Sequence, residues 1–227
     1  MLSQLKNWAT RAGLILAIVA GPAVPVDARD SSRVKTILVL GDSLSDGFGL
    51  NRSEAYPALI VSKLRAAGLN YDVINASQSG GTSEGGLRRL PPLLKRKINI
   101  FILELGINDA FRGLEVDAIR DNLQAIIDRV RQDNPKVRIV IAGMEVPNYA
   151  ADDYVSAFSR MFEELAQKNG AALVPSLLAG VAGDPALNLP DGVHPNRAGQ
   201  KVLAENIWQV LEPVAREVSG KSAAMRE

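Results

Sequence analysis

The run Thr36-Ile37-Leu38-Val39-Leu40, followed at once by Gly41-Asp42-Ser43-Leu44-Ser45-Asp46-Gly47, decides how this chain folds. Five residues without apolar/polar alternation, stopped by a glycine, read as a strand buried on both faces. Such strands belong to parallel sheets covered by helices, because helices are the usual crossovers between parallel strands. The chain on either side has that rhythm. Tyr56 to Ala67 reads as a helix ended by Gly68, Tyr71 to Asn75 as a second strand, and Ser77 to Gly86 as a Ser/Gly-rich loop. Leu87, Leu90 and Leu94 give helical spacing from Leu87 to Lys97, with a break or fresh start expected at Pro91-Pro92. Ile98 to Leu105 reads as the third strand, residues 116 to 133 as an amphipathic helix, and Val137 to Ala142 as the fourth strand. Tyr154 to Lys168 is helical, Ala171 to Val174 a short fifth strand, and Ala198 to Val218 a closing helix. This alternation predicts an α/β fold: a three-layer α/β/α sandwich around a five-stranded parallel sheet. In such sheets a ligand sits beyond the carboxyl ends of the strands, where the topology reverses direction.

Composition removes several function classes. At 227 residues the chain fits one ordinary domain. Lys+Arg 26 against Asp+Glu 25 leaves a formal charge of +1, too balanced for a nucleic-acid footprint. There is no cysteine and one histidine, His194, which excludes disulfides, thiol nucleophiles and multi-histidine metal sites. The first 28 residues read as a signal peptide. Lys6 and Arg11 precede an apolar run from Gly13 to Ala20, and Val26-Asp27-Ala28 offers a small-residue exit. Gly21, Pro22 and Pro25 end that run short of the roughly 20 residues needed to span a bilayer, so no stable membrane anchor is expected. A cut after Ala28 would leave residues 29–227 as one mature domain, placed in the periplasm or secreted.

Four loops at one edge of the expected sheet carry the chemistry. Strand one runs into Gly41-Asp42-Ser43, strand two into Ala76-Ser77-Gln78-Ser79-Gly80-Gly81, and strand three into Gly106-Ile107-Asn108-Asp109; Asp191-Gly192-Val193-His194-Pro195-Asn196 precedes the last helix. A serine hydroxyl is a weak nucleophile until an imidazole takes its proton, and the imidazole needs an acid to fix its tautomer. His194 alone can be that base. Asp191 reaches its Nδ1 if Gly192-Val193 turn tightly, leaving Nε2 for Ser43. Pro195 fits the first helical position. The oxyanion formed on attack needs fixed donors, and three are on offer: the backbone N–H groups of Ser43 and Gly80 and the side-chain amide of Asn108.

These blocks, in this order, resemble the four signature blocks of the GDSL, or SGNH, hydrolases. Val73-Ile74-Asn75-Ala76-Ser77, Gly86 to Lys95, Pro147-Asn148-Tyr149 and His194-Pro195-Asn196 look closer still to the bacterial thioesterase I/lysophospholipase L1 and arylesterase branch. The resemblance implies a flavodoxin-like sandwich, with Ser43 as nucleophile, Gly80 and Asn108 as oxyanion donors, and Asp191 and His194 completing a triad. It implies hydrolysis of carboxylic esters and thioesters: aryl or short-to-medium acyl esters, acyl thioesters and lysophospholipids. No cofactor is implied, the partner is a small ester or lipid, and the chain is expected to be a monomer. Two departures reshape the rim. Ile107 stands where that branch often has a second glycine, and Gly81 where it often has an aspartate.

Other readings compete. Singly, Ser43 reads as a helix N-cap, Gly80-Gly81 as a tight turn, and Asn108-Asp109 as the cap of a short helix. Asp42 and Asp46 are expected to bond the backbone of their own turn, since an EF-hand loop wants an oxygen ligand where Leu44 sits. No Walker A, G-x-G-x-x-G or G-x-S-x-G pattern is present. Arg88, Arg89, Lys95, Arg96 and Lys97 read as a solvated helix face, with anionic membrane as a second reading. Met144, Val146, Pro147 and Tyr149, after strand four, are expected to shape an acyl pocket. Carbohydrate O-acetyl ester hydrolysis is the alternative within the fold; a non-catalytic envelope protein binding acyl chains is the alternative outside catalysis.

Overall fold

A computed structural model describes residues 34–146 and 151–220. The leader reading at residues 1–28, and Pro147 and Tyr149 of the expected acyl pocket, lie outside the described residues.

Five parallel strands form one sheet: β1 (Lys35–Gly41), β2 (Tyr71–Asn75), β3 (Ile100–Glu104), β4 (Arg138–Ala142) and β5 (Ala172–Val174), in the order β2-β1-β3-β4-β5. This is the flavodoxin-like order, whose direction switches between β1 and β3. β3, and β1 apart from Thr36, are buried because helices cover both faces of the sheet; Ile37, Val39, Ile100, Phe101 and Ile102 have no exposed surface. The helices are α1 (Ser43–Asp46), α2 (Tyr56–Ala66), α3 (Ser83–Leu93), α4 (Ile107–Phe111), α5 (Val116–Asp133), α6 (Asp152–Asn169) and α7 (Arg197–Val218), and a 3-10 turn spans Arg52–Glu54. α2 packs with α7, while α3, α5 and α6 pack in a row, which makes the two outer layers. The five-stranded three-layer α/β architecture expected from the sequence is the one observed.

Three local expectations are corrected. α3 starts at Ser83, where Thr82 Oγ1 accepts from the Gly85 N–H, and it runs through Pro91 and Pro92 without a fresh start. Both prolines fall in its last turn, so the carbonyls they leave unbonded lie near an end that is already fraying. α7 starts at Arg197, so Pro195 lies outside the helix. Asn196 is the N-cap, its Oδ1 accepting from the Ala198 and Gly199 N–H groups, a bond proline cannot make. Arg89 is no solvated face residue: its guanidinium turns inward to donate to the carbonyls of Ala76 and Gly41.

Candidate active site

The switch point puts the ends of β1 and β3 side by side, with Gly41 in register with Glu104. β1 therefore delivers Ser43, and β3 delivers Asn108, to neighbouring loops. Ser43 is the first residue of α1, not its cap. Asp42 is the cap, its Oδ1 accepting from the Leu44 N–H at 3.0 Å. As a first-turn residue, Ser43 has a backbone N–H that helix geometry leaves free. Neither this N–H nor that of Gly80 donates to an acceptor among the described residues. Gly80 holds φ +73°, and nothing lies within 4 Å of where its Cβ would stand, so the glycine there serves a left-handed backbone in open space. Asn108 lies inside α4, whose N-cap is Gly106.

The far loop comes round to meet Ser43. Gly192, at φ +70°, makes the tight turn, and its N–H donates to the Leu189 carbonyl. Asp191 then faces forward. Its Oδ1 accepts from the N–H groups of Val193 and His194 at 2.9 and 3.0 Å, and its Oδ2 lies 2.8 Å from His194 Nδ1. These N–H groups hold the Asp191 carboxyl down at about 2, with the His194 N–H contributing most. An ionised carboxylate only accepts, so Nδ1 carries the proton and Nε2 keeps its lone pair. His194 Nε2 stands 3.0 Å from Ser43 Oγ across 151 residues of sequence. Gln200, buried in α7, donates to the Leu44 carbonyl and accepts from the Tyr56 N–H, tying the helix after His194 to the one that carries Ser43.

The third donor has prior engagements. Asn108 Nδ2 donates to Asp42 Oδ2 at 3.0 Å and to the Gly81 carbonyl at 3.1 Å, which uses both of its protons. An oxyanion gains this donor only by exchange with one of them, and the neutral Gly81 carbonyl is the weaker competitor.

Beneath the serine lies a carboxylate that sequence reading passed over. Glu104 is fully buried at the end of β3. Its Oε2 accepts from the Asp42 N–H at 3.1 Å and from the Ser45 hydroxyl at 2.5 Å, while its Oε1 has no partner. Ser45 Oγ also lies 2.8 Å from the Tyr56 hydroxyl. Burial, then the charge of Asp42, pushes the Glu104 carboxyl well above the usual carboxylate range. Burial likewise raises Asp42 to about 6. The available signal was a lone acid inside the otherwise apolar run Ile100 to Leu105. Asp42 bonds its own turn as expected. Asp46 does not: its Oδ2 accepts from the N–H and the hydroxyl of Ser79.

The rim is apolar. Of the four large hydrophobic residues exposed among those described, Phe48, Phe111 and Val193 sit within a few residues of Ser43, Asn108 and His194. The Phe48 ring lies against the His194 imidazole with centroids 4.4 Å apart. Met144 and Val146 are 2% and 5% exposed and belong to the hydrophobic core, so neither offers open surface to a ligand here. Among the described residues no three acidic or histidine side chains gather to hold a metal ion. None of the helices of those residues is long and apolar enough to cross a membrane.

A hydroxyl, an imidazole and a carboxylate in line, beside unpaired N–H groups, can carry out acyl transfer to serine. Comparison with known proteins identifies the family. Residues 39–202 match the model of the GDSL-like lipase/acylhydrolase family. The chain is 37% identical to the esterase TesA of Pseudomonas aeruginosa over 198 residues, covering 87% of this chain and 98% of that one. It is 35% identical to the thioesterase 1/protease 1/lysophospholipase L1 of Escherichia coli K12 over 185 residues, 81% and 86% of the two chains. The crystal structure of TesA superposes with a TM-score of 0.75 at 39% identity, covering 79% of this chain and 99% of that one. On the fold, the family match and these identities, the chain belongs to the GDSL-like lipase/acylhydrolase family of ester-hydrolysing enzymes.

Proposed function

We propose that the protein is a serine esterase that hydrolyses carboxylic esters and thioesters through an acyl-enzyme on Ser43, with aryl esters, acyl thioesters and lysophospholipids as its substrate classes. The observation that carries this reading is the 3.0 Å approach of His194 Nε2 to Ser43 Oγ, with Asp191 behind the imidazole. Ser43 Oγ attacks the acyl carbon as its proton passes to Nε2, and Asp191 stabilises the imidazolium. The oxyanion is held by the N–H groups of Ser43 and Gly80 and by Asn108 Nδ2, the last released from the Gly81 carbonyl. Collapse breaks the bond to the leaving oxygen or sulfur, which takes the proton from Nε2. Water then attacks the acyl-enzyme, giving its proton to Nε2, and the second collapse returns that proton to Ser43 Oγ with release of the carboxylic acid.

The substrate class rests on the rim. Phe48 presents an exposed apolar ring against the His194 imidazole, and Phe111 and Val193 are exposed three residues after Asn108 and one before His194, which suits an acyl chain or an aryl leaving group better than an acetylated sugar. The enzyme acts as a monomer and without a cofactor in this reading. The leader read at residues 1–28 puts it in the periplasm or the medium, and mature protein beginning at Arg29 is the expected N-terminus.

A fluorophosphonate probe with a panel of p-nitrophenyl acetate, butyrate and octanoate, palmitoyl-CoA, lysophosphatidylcholine and acetylated xylan tests the whole reading. Wild type is expected to be labelled and to hydrolyse the acyl and aryl substrates ahead of the xylan, with Ser43→Ala unlabelled and His194→Ala inactive. Equal labelling of Ser43→Ala would overturn the nucleophile, xylan in first place would make the protein a carbohydrate O-acetylesterase, and no turnover at all would leave an acyl-binding protein.

A further inference from the structure

Nothing lies within 4 Å of where a Gly80 Cβ would stand, and a glycine in open space rotates cheaply. Its N–H can be aimed only by what holds its neighbours. On one side Arg112 donates to the Gly80 carbonyl at 3.1 Å, and the Gly81 N–H returns to the Gln78 carbonyl at 2.9 Å. On the other side the anchor is Asp46, three residues beyond Ser43 on the same short helix. Its Oδ2 accepts from the Ser79 N–H at 3.2 Å and from the Ser79 hydroxyl at 2.8 Å. Its Oδ1 lies 3.0 Å from Arg52 Nη2, which also donates to the carbonyls of Asn75 and Ser77. Asn75 Nδ2 closes the circuit by donating to the Ser45 carbonyl at 2.7 Å.

Resting on the reading of Ser43 as nucleophile, we propose that Asp46 is a positioning residue for the Gly80 oxyanion donor, coupling the loop after β2 to the helix that carries the serine. With the N–H and side chain of Ser79 both fixed by one carboxylate, a single backbone rotation, ψ of Ser79, still sets the direction of the Gly80 N–H. The loop's own bonds at Arg112 and Gln78 restrain that rotation. Asp42 performs the matching task on the other side of Ser43, where it accepts from Asn108. An acid at each end of α1 thus holds one of the two donors that come from elsewhere in the chain, and nucleophile and oxyanion site move as one body. Bonds to an ionised acceptor suit this task because they are stronger than neutral ones, and a donor displaced by a fraction of an ångström loses much of its effect on the transition state.

The test compares Asp46→Ala, Asp46→Asn and Ser79→Ala with wild type, reading p-nitrophenyl butyrate kinetics, the rate of fluorophosphonate inactivation and hydrogen exchange over residues 76–82. Asp46→Ala is expected to raise exchange at Ser79 and Gly80, and to lower kcat and the inactivation rate about 10-fold with KM within two-fold. This is less than the roughly 10²–10³ that accompanies outright loss of a donor. Asp46→Asn keeps an oxygen for Ser79 and restores most of the rate, while Ser79→Ala, losing only the hydroxyl bond, falls two- to five-fold. Unchanged exchange in Asp46→Ala overturns the proposal, as does raised exchange with kcat intact or with the loss confined to KM. If Asp46→Ala fails to fold, Ser79→Ala decides alone, and wild-type kcat and exchange in it overturn the proposal. A wild type inert to esters and probe removes the esterase reading instead, and the exchange comparison still reports on the tether.

Discussion

Asn108 Nδ2 donates to Asp42 Oδ2 across 3.0 Å, so the residue that caps the helix of Ser43 also grips the side chain opposite. The amide is fixed by a charged partner on one side and held by a neutral carbonyl, that of Gly81, on the other. In the proposed reaction this asymmetry decides which bond gives way to an oxyanion. Asn108→Ala is expected to lower kcat about 10²–10³-fold with KM changed by less than about three-fold. Asp42→Asn keeps an oxygen for the Leu44 N–H but turns an N–H₂ group toward Asn108, so two donors face each other. Steady-state kinetics should place it between wild type and Asn108→Ala; wild-type kcat in Asp42→Asn would mean that the grip on Asn108 is idle.

Asp191 is held ionised by its own loop, chiefly by the His194 N–H and then by that of Val193, and its carboxyl stays near 2. A carboxyl depressed by folding contributes stability above its ordinary value of 3.8, and that contribution fades as the pH falls through 2. Any acid loss of activity above about pH 4 therefore belongs to another group. Asp191→Asn retains an oxygen for both loop N–H groups, so the turn survives, but its amide nitrogen against Nδ1 favours the tautomer with a proton on Nε2. Deacylation and acylation both need that nitrogen bare. kcat should fall on the order of 10²–10⁴-fold with little change in thermal midpoint, measured by ester hydrolysis and circular dichroism.

Much of this arrangement was legible along the chain because it follows from periodicity and loop order. β2 and α5 have the bounds read from the sequence, and the four loops that carry Ser43, Gly80, Asn108 and His194 lie at one sheet edge because parallel strands put all their carboxyl ends there. What stayed hidden is either too short to have a period or depends on a partner far away. α1 is four residues held by one cap bond. Arg89 looked like its charged neighbours until the carbonyls of Gly41 and Ala76 came within reach. Gly41 reads as the stop that ends strand one, yet it lies inside β1 and its reason is space: a Cβ there would collide with Glu104 Oε2 and stand 2.5 Å from Ser45 Oγ. Asp46 and Ser79 are 33 residues apart, and no local pattern joins them.

Glu104 and Asp42 are enclosed together, with the Tyr56 hydroxyl and the Arg89 guanidinium as the other ionisable groups in their field and His194 facing Asp42. Both carboxyls are raised by burial, so the folded state holds their protons more tightly than the unfolded chain does. The sign follows: their favourable contribution is complete below the ordinary value, 3.8 for Asp42, and is lost as the pH rises through about 6. Glu104→Gln removes one of the two charges and leaves an oxygen for the Asp42 N–H and the Ser45 hydroxyl. Its amide N–H₂ takes the place of the unpartnered Oε1, a pH-independent penalty of about 1–3 kcal/mol. Urea midpoints at pH 4.5 and 7.5 cancel that constant. Wild type is expected to lose more stability than Glu104→Gln between the two values; equal losses would show that the pair does not titrate in this range.

Phe48 packs against the imidazole, its ring 4.4 Å from that of His194 and tilted by 35°. The ring is 46% exposed, an arrangement that folding alone does not favour for phenylalanine. An acyl or aryl group bound at Ser43 would find a flat apolar surface there, beside the His194 imidazole. Aromatic contacts of this sort are worth about 0.5–1.5 kcal/mol beyond area, or roughly 2- to 10-fold in rate when made in the transition state. Phe48→Ala should therefore lower kcat/KM for p-nitrophenyl octanoate five- to ten-fold and for the acetate less than three-fold, with Phe48→Leu between. The acetate is the control for the imidazole, since loss of ring packing on His194 would slow both esters alike. Equal losses on both esters would set Phe48 against the His194 imidazole or the shared p-nitrophenyl group, whereas a loss that grows with chain length makes it the first surface of the acyl site.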